Sequence, residues 1–105
     1  MTQTELLQRI KESLQTLYGP RFRGLVLYGS VARGDAEEDS DIDLLCLLDG
    51  AVNTVKEISP IVDALSDLQR EYLERMFDVT AVSAQDYEEG AFPLAIEAKR
   101  EGALV

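Results

Sequence analysis

Residues 25–48 read LVLYGSVARGDAEEDSDIDLLCLL, and this stretch decides the fold. It contains two short apolar runs, residues 25–28 and 42–48, which are separated by Gly29-Ser30 and a strongly acidic segment. Apolar runs of about four to eight residues that are bounded by turn residues predict buried β-strands. The stretch therefore predicts two strands joined by a polar loop, with the second strand beginning inside the acidic segment.

Helical patterns flank this stretch on both sides. Over residues 4–18 the apolar side chains recur at the spacing of one helical face, and Gly19-Pro20 ends that helix. Downstream, residues 54–57 match a capping box, whereas Ser59-Pro60 is an alternative helix start. Either start predicts one long helix whose apolar face continues to about Tyr72.

The remaining third of the chain predicts further strands and two shorter helices. Residues 77–82 are a strand candidate, Met76 is expected in the core, and Ser83 caps a short helix. A last helix begins near Pro93 and ends before Gly102, with an edge strand after it. Together these elements predict a single α/β domain over residues 1–105. We expect a mixed sheet of about three to five strands, helices packed mainly on one face, and a site at one sheet edge.

The composition restricts the chemistry that the chain can perform. It has 105 residues, with 20 acidic and 10 basic side chains, so the formal net charge is −10, and it has no His and one Cys. Cys46 cannot form an intrachain disulfide and is interpreted as a small buried residue, and any metal site must use oxygen ligands. The negative charge opposes autonomous nucleic-acid binding. No run is long enough for a membrane span or a signal peptide, so a cytoplasmic location is expected.

Two carboxylates stand at the start of the second strand. Because side chains alternate across a strand, Asp41 and Asp43 point to the same face, about 7 Å apart. Such a pair repels unless a cation lies between the two groups, and Mg²⁺ prefers carboxylate, phosphate and water oxygens. The pair therefore predicts a metal clamp, although a solvated strand start is the ordinary interpretation of Asp-x-Asp by itself.

A phosphate-binding turn is predicted directly after the first strand. Gly29 lacks a β-carbon, so the chain can turn sharply and a phosphate can approach the backbone N–H groups. Ser30 adds a hydroxyl donor, and Arg33 can reach the same anion with its guanidinium group. Alone, Gly-Ser after a strand is an ordinary turn, but a phosphate turn and a metal clamp on consecutive strands together indicate a site.

The spacing of these residues resembles the signature of the DNA polymerase beta-type nucleotidyltransferase superfamily. That signature is Gly-Ser, ten intervening residues and Asp-x-Asp, and here residues 31–40 lie between Ser30 and Asp41. The preceding apolar strand and the Arg-Gly at residues 33–34 agree with it. Within the superfamily the chain is most similar to the minimal nucleotidyltransferases (MNT), which pair with HEPN proteins in prokaryotic toxin–antitoxin modules. This resemblance covers nearly the whole chain.

The resemblance implies a role for each of these residues. The phosphates of the nucleotide would be held by Gly29, Ser30 and Arg33. Asp41 and Asp43 would bind Mg²⁺ in a two-metal site, and the family's third carboxylate best matches Asp78. That residue lies in an otherwise apolar strand, where an unpaired charge is costly, and it would orient or deprotonate the attacking hydroxyl and share the second metal. The other interpretation of Asp78 is a solvent-facing residue at the start of an edge strand.

The implied function is Mg²⁺-dependent transfer of a nucleoside monophosphate, AMP from ATP, to a hydroxyl group. A chain of 105 residues leaves no room for an acceptor-binding domain, so the acceptor is expected on another chain. The resemblance implies a tyrosine of a cognate HEPN ribonuclease toxin, with this chain as the antitoxin in a hetero-oligomer, and the acidic composition suits a basic partner. Two other hypotheses stay open: a binding module that masks its partner without catalysis, and a small-molecule nucleotidyltransferase.

Overall fold

A mixed β-sheet forms the centre of the computed structural model, which describes residues 2–29, 41–73 and 75–105. Within these residues the sheet has four strands: β1 (Phe22–Tyr28), β2 (Ile42–Leu48), β3 (Phe77–Ser83) and β4 (Ala103–Leu104). Their spatial order is β3-β2-β1-β4; β2 is parallel to β3 and antiparallel to β1, and β4 is antiparallel to β1. The α/β class and the mixed sheet confirm the expected fold.

Helices lie on both faces of this sheet, whereas the sequence predicted them mainly on one face; the second face is covered because Val26, Leu45 and Leu47 are apolar there. In the described part of the chain they are α1 (Gln3–Tyr18), α2 (Thr54–Glu71), α3 (Ala84–Glu89) and α4 (Pro93–Glu101), with a 3-10 turn at Gly19–Arg21. The two long helices, α1 and α2, share one face, while the shorter α3 and α4 lie on the other. None of the helices among these residues combines the length and the apolar character needed to cross a membrane.

Strand β2 divides the core into two layers. Leu44 and Cys46 are fully buried in the layer formed with α1 and α2, whereas Leu45 and Leu47 belong to the layer formed with α3 and α4. This is the alternation that a strand buried on both faces produces. Burial raises the pKa of the Cys46 thiol to about 12, in agreement with its interpretation as a small buried residue.

The start of α2 is decided by a residue next to the predicted capping box. Asn53 is the N-cap, and its side-chain oxygen accepts a hydrogen bond of 3.2 Å from the Lys56 amide. Thr54, the first residue of the helix, instead donates its hydroxyl to the Ala81 carbonyl oxygen of β3 at 2.7 Å. Pro60 lies inside α2 and not at its start. The helix is therefore fastened to β3 at its first residue.

The expectation that Met76 lies in the core is wrong. Its side chain is 58% exposed. Its carbonyl oxygen accepts a hydrogen bond of 2.9 Å from the Ile42 amide, so its backbone is tied to β2. The side chain instead lines an open groove between α2 and β3, because Met76 directly precedes the outermost strand of the sheet.

Candidate active site

The strand register brings two of the predicted carboxylates side by side. Asp43 of β2 pairs with Asp78 of β3, and neighbouring strands lie about 4.8 Å apart. Both alternate with side chains of the α1/α2 layer, Leu44 and Val79, so both point to the face that carries α3 and α4. Asp43 is partly buried and Asp78 is exposed. The two carboxylates are thus neighbours at the starts of adjacent strands.

Gly29 ends β1 against one of these carboxylates. Its φ is +78°, a value that L side chains rarely adopt. A β-carbon placed on Gly29 would overlap Oδ2 of Asp43 and would lie 3.3 Å from its Cγ. Tyr28, the preceding residue, is the register partner of Asp43. The positive φ of Gly29 agrees with the predicted turn, but the close approach seen here is that of the Asp43 carboxylate, and the binding of phosphate at Gly29 stays a prediction.

The other predicted site residues are placed less fully. Ser30 and Arg33 lie outside the described residues. Asp41 is exposed and directly precedes β2. In the part of the chain that the structure describes, no three His, Cys, Asp or Glu side chains are close enough to hold a metal ion. Asp43 and Asp78 form an oxygen pair that suits Mg²⁺, but Asp41 does not complete a cluster with them, so the three-carboxylate site stays a prediction.

The phenol of Tyr28 lies close enough to the carboxylates of this site to be affected by their negative charge. Its ring packs partly buried on the same face as Asp43. Burial, followed by the negative charges of Asp43, Asp78 and Glu97, raises the pKa of Tyr28 to about 12. The hydroxyl is therefore protonated at neutral pH and available as a hydrogen-bond donor. A region with this much negative charge favours a cation over a free anion.

Sequence reasoning missed the contribution of Glu97. This residue lies on α4, which packs on the sheet through the buried Ala95 and Ala98. Small side chains three positions apart let a helix approach a sheet closely, and that spacing was the available signal. The sheet position that α4 covers, however, depends on tertiary packing, which no local pattern in the sequence specifies.

Comparison with protein families and curated proteins gives concordant matches. The family model described as a nucleotidyltransferase domain matches residues 7–89. A candidate protein adenylyltransferase of Methanocaldococcus jannaschii, MJ0141, is 32% identical over 68 residues, which cover 65% of this chain and 68% of that protein. A second candidate protein adenylyltransferase of the same organism, MJ0604, is 37% identical over 49 residues, which cover 47% of this chain and 49% of that protein.

Two solved structures are similar to the chain in fold. One is described as a toxin–antitoxin with AMP-PNP; it has a TM-score of 0.61 at 16% identity and covers 98% of this chain and 72% of that one. The other is a mutant of the toxin–antitoxin MntA–HpeT, with a TM-score of 0.60 at 17% identity, covering 92% of this chain and 69% of that one. At these identities the likeness concerns the fold alone.

Proposed function

Because the chain belongs to the nucleotidyltransferase domain family, we propose that it transfers AMP from ATP to a tyrosine hydroxyl of a cognate HEPN ribonuclease toxin, and so acts as an antitoxin. The observation that carries this proposal is the register pair Asp43 and Asp78 beside the turn at Gly29. The names of MJ0141 and MJ0604 support protein adenylylation as the reaction. The toxin–antitoxin descriptions of the two fold neighbours support a toxin as the partner. We place the reaction in the cytoplasm.

In the proposed reaction the acceptor oxygen attacks the α-phosphorus of ATP. A new oxygen–phosphorus bond forms, the bond from the α-phosphorus to the bridging oxygen breaks, and pyrophosphate leaves. Asp78 orients the acceptor hydroxyl and accepts its proton. The departing phosphates are held by Gly29, Ser30 and Arg33. The acceptor and the leaving group thus lie on opposite sides of Asp43.

Asp41, Asp43 and Asp78 are the residues that would hold Mg²⁺ in a two-metal site. The pair Asp43 and Asp78 fits the ion, because both are hard oxygen donors and their mutual repulsion falls when a cation lies between them. When bound, Mg²⁺ neutralises charge on the phosphates and on the attacking oxygen. Without a cation, these carboxylates and the net charge of −10 repel a triphosphate.

Intact-mass measurement tests the transfer. We expect the chain, Mg-ATP and the proposed HEPN-type partner to yield a partner that is heavier by one AMP group, and we expect EDTA or the double variant Asp41→Asn/Asp43→Asn to abolish the increase. Asp49→Asn is the matched control, because Asp49 is exposed and pairs with Arg23 at the far end of β2. A stable complex that shows no mass increase contradicts the proposed transfer.

A second candidate function is masking of the partner without catalysis. It is favoured by the large apolar side chains that are exposed on α2 and next to β3, namely Val55, Ile58, Val62, Leu73 and Met76. The Asp41→Asn/Asp43→Asn variant separates the two functions in cells that express the toxin. Unchanged neutralisation by this variant assigns masking, whereas loss of neutralisation with the complex intact assigns transfer.

A further inference from the structure

An apolar groove lies beside Asp78, at the edge of the sheet formed by β3. It is bounded by α2 and β3 and has a volume of about 520 Å³. Its exposed apolar lining residues are Ile58, Val62, Leu73 and Met76, whose exposed fractions range from 53% to 78%. Contiguous apolar side chains with this exposure are typical of a binding surface.

Helix α2 presents two apolar faces and not one. The first face is buried in the core and consists of Ile61, Leu65 and Leu68. The second face, at helical spacings of three and four, consists of Val55, Ile58 and Val62, which are exposed. The first face packs α2 against the sheet, and the second face is left available to a partner.

Two backbone groups on the outer edge of β3 are already bonded by side chains of α2. The Phe77 amide donates to Oε1 of Gln69 at 3.4 Å, and the Ala81 carbonyl accepts from the Thr54 hydroxyl at 2.7 Å. An additional strand on this edge would have to displace both bonds. A helix that inserts apolar side chains into the groove leaves them intact and therefore fits the surface better.

The groove lies on the acceptor side of the proposed reaction. Across the sheet, Gly29 follows β1, Asp43 lies on β2 and Asp78 lies on β3, with the groove beyond it. In the proposed reaction the phosphates are held at Gly29 and the acceptor hydroxyl is oriented by Asp78. Helix α2 bounds the groove on the face opposite to the one to which the Asp43 and Asp78 carboxylates point, so a chain in the groove would present its hydroxyl to Asp78 around the outer edge of β3.

The negative charge of the chain favours a basic protein, and not a second copy of this chain, as the occupant of the groove. The Arg70 guanidinium that lines the groove is already paired with Asp67 on the same helix. Asp78 lies in the lining, and Asp63, next to Val62, is exposed. Two copies would each bring a net charge of −10 to the contact, whereas a basic partner is attracted to it.

We propose that this groove binds a basic amphipathic helix of the partner protein, with its apolar side chains against α2 and β3, and thereby brings the acceptor hydroxyl to Asp78. The identity of the acceptor rests on the proposed function. The docking of the helix does not require that transfer take place.

Binding measurements with matched variants test this docking. The probe is the proposed HEPN-type partner, titrated calorimetrically against the wild type, the groove variant Ile58→Asp/Val62→Asp and the control Ile96→Asp. Ile96 is 56% exposed and lies on α4, away from the groove. We expect the groove variant to bind about tenfold more weakly or worse, and the control to bind as the wild type does. Leu73→Asp, at a 78% exposed position, provides a second groove variant if the first unfolds at a lower temperature.

Three results would overturn the docking proposal: unchanged affinity in both groove variants, an equal loss of affinity in the Ile96→Asp control, or a wild-type dimer that the groove variants dissociate.

Failure of AMP transfer can be distinguished from failure of docking. If the wild type binds the partner through the groove but transfers no AMP, the proposed function is refuted and the docking stands. If the groove variants transfer AMP at the wild-type KM for the partner, the docking is refuted and the function stands.

Discussion

At the scale of single residues, the site depends on a glycine whose missing side chain leaves room for a carboxylate. Gly29 could be recognised in the sequence because it follows an apolar run and precedes Ser30. Its contact with Asp43 could not, because that residue belongs to the next strand and the contact depends on the antiparallel pairing of β1 with β2.

Gly29→Ala tests this contact against a matched glycine. Gly50 has nearly the same φ, +80°, but a β-carbon there would have no atom within 4 Å. Both substitutions are expected to lower the free energy of unfolding by about 1 kcal/mol because of the backbone conformation. Only Gly29→Ala should also displace Asp43 and abolish AMP transfer. Urea unfolding and the intact-mass assay measure the two effects, and full transfer by Gly29→Ala would refute the role of the contact.

Asp78 belongs to the site because of its register with Asp43 and not because of burial. The sequence suggested it because a charge in an apolar strand is costly, yet its side chain is exposed, so that cost is small. Its register with Asp43 is the stronger reason, and register between two strands that are separated by a whole helix is not specified by local patterns.

Asp78→Asn removes one of two like charges on adjacent strands. In EDTA, the free energy of unfolding is expected to stay unchanged or to rise by about 0.5 kcal/mol, because the repulsion between Asp43 and Asp78 is lost. Added MgCl₂ should stabilise the wild type, and Asp49→Asn equally, but should stabilise Asp78→Asn less, because ligand binding to the folded state raises stability. Urea titrations with and without MgCl₂ measure this. A wild-type stability that does not respond to MgCl₂ contradicts the metal site.

At the scale of elements, local patterns located the helices and strands well. Periodicity and capping residues indicated α1, α2 and the Pro93 start of α4, because these depend on residues close in sequence. Met76 was misplaced because the edge position of β3 follows from sheet order. The connection between α2 and β3 is held by Gln69, which donates to the Tyr72 carbonyl at 3.1 Å and to that of Arg75, and accepts from the Phe77 amide.

Gln69→Leu tests this connection. The substitution removes three hydrogen bonds from a part-buried position, so we expect a loss of about 1–3 kcal/mol in the free energy of unfolding. Gln85→Leu is the control, since Gln85 makes an exposed hydrogen bond of 3.2 Å to Glu89 and should change stability by less than about 0.5 kcal/mol. Equal effects of the two substitutions in urea unfolding would show that the Gln69 contacts contribute little.

At the scale of the whole molecule, charge sets the response to salt. The net charge is −10, and ion pairs of the described residues such as Arg70 with Asp67 and Arg23 with Asp49 are largely exposed and therefore weak. Mutual repulsion should therefore exceed pairing. We expect the unfolding temperature to rise as NaCl is increased from about 20 mM to about 500 mM, because salt screens the repulsion. A fall in scanning calorimetry would mean that the ion pairs dominate.

The strand directions also separate the two ends of the sheet. Gly29, Asp43 and Asp78 lie at one end, whereas the turn at Asp49-Gly50 lies at the other, roughly 17–20 Å further along β2. Gly50 is exposed, and a β-carbon there would meet open space. A reporter domain could therefore be inserted after Gly50 without contact with the end of the sheet that carries Gly29, Asp43 and Asp78.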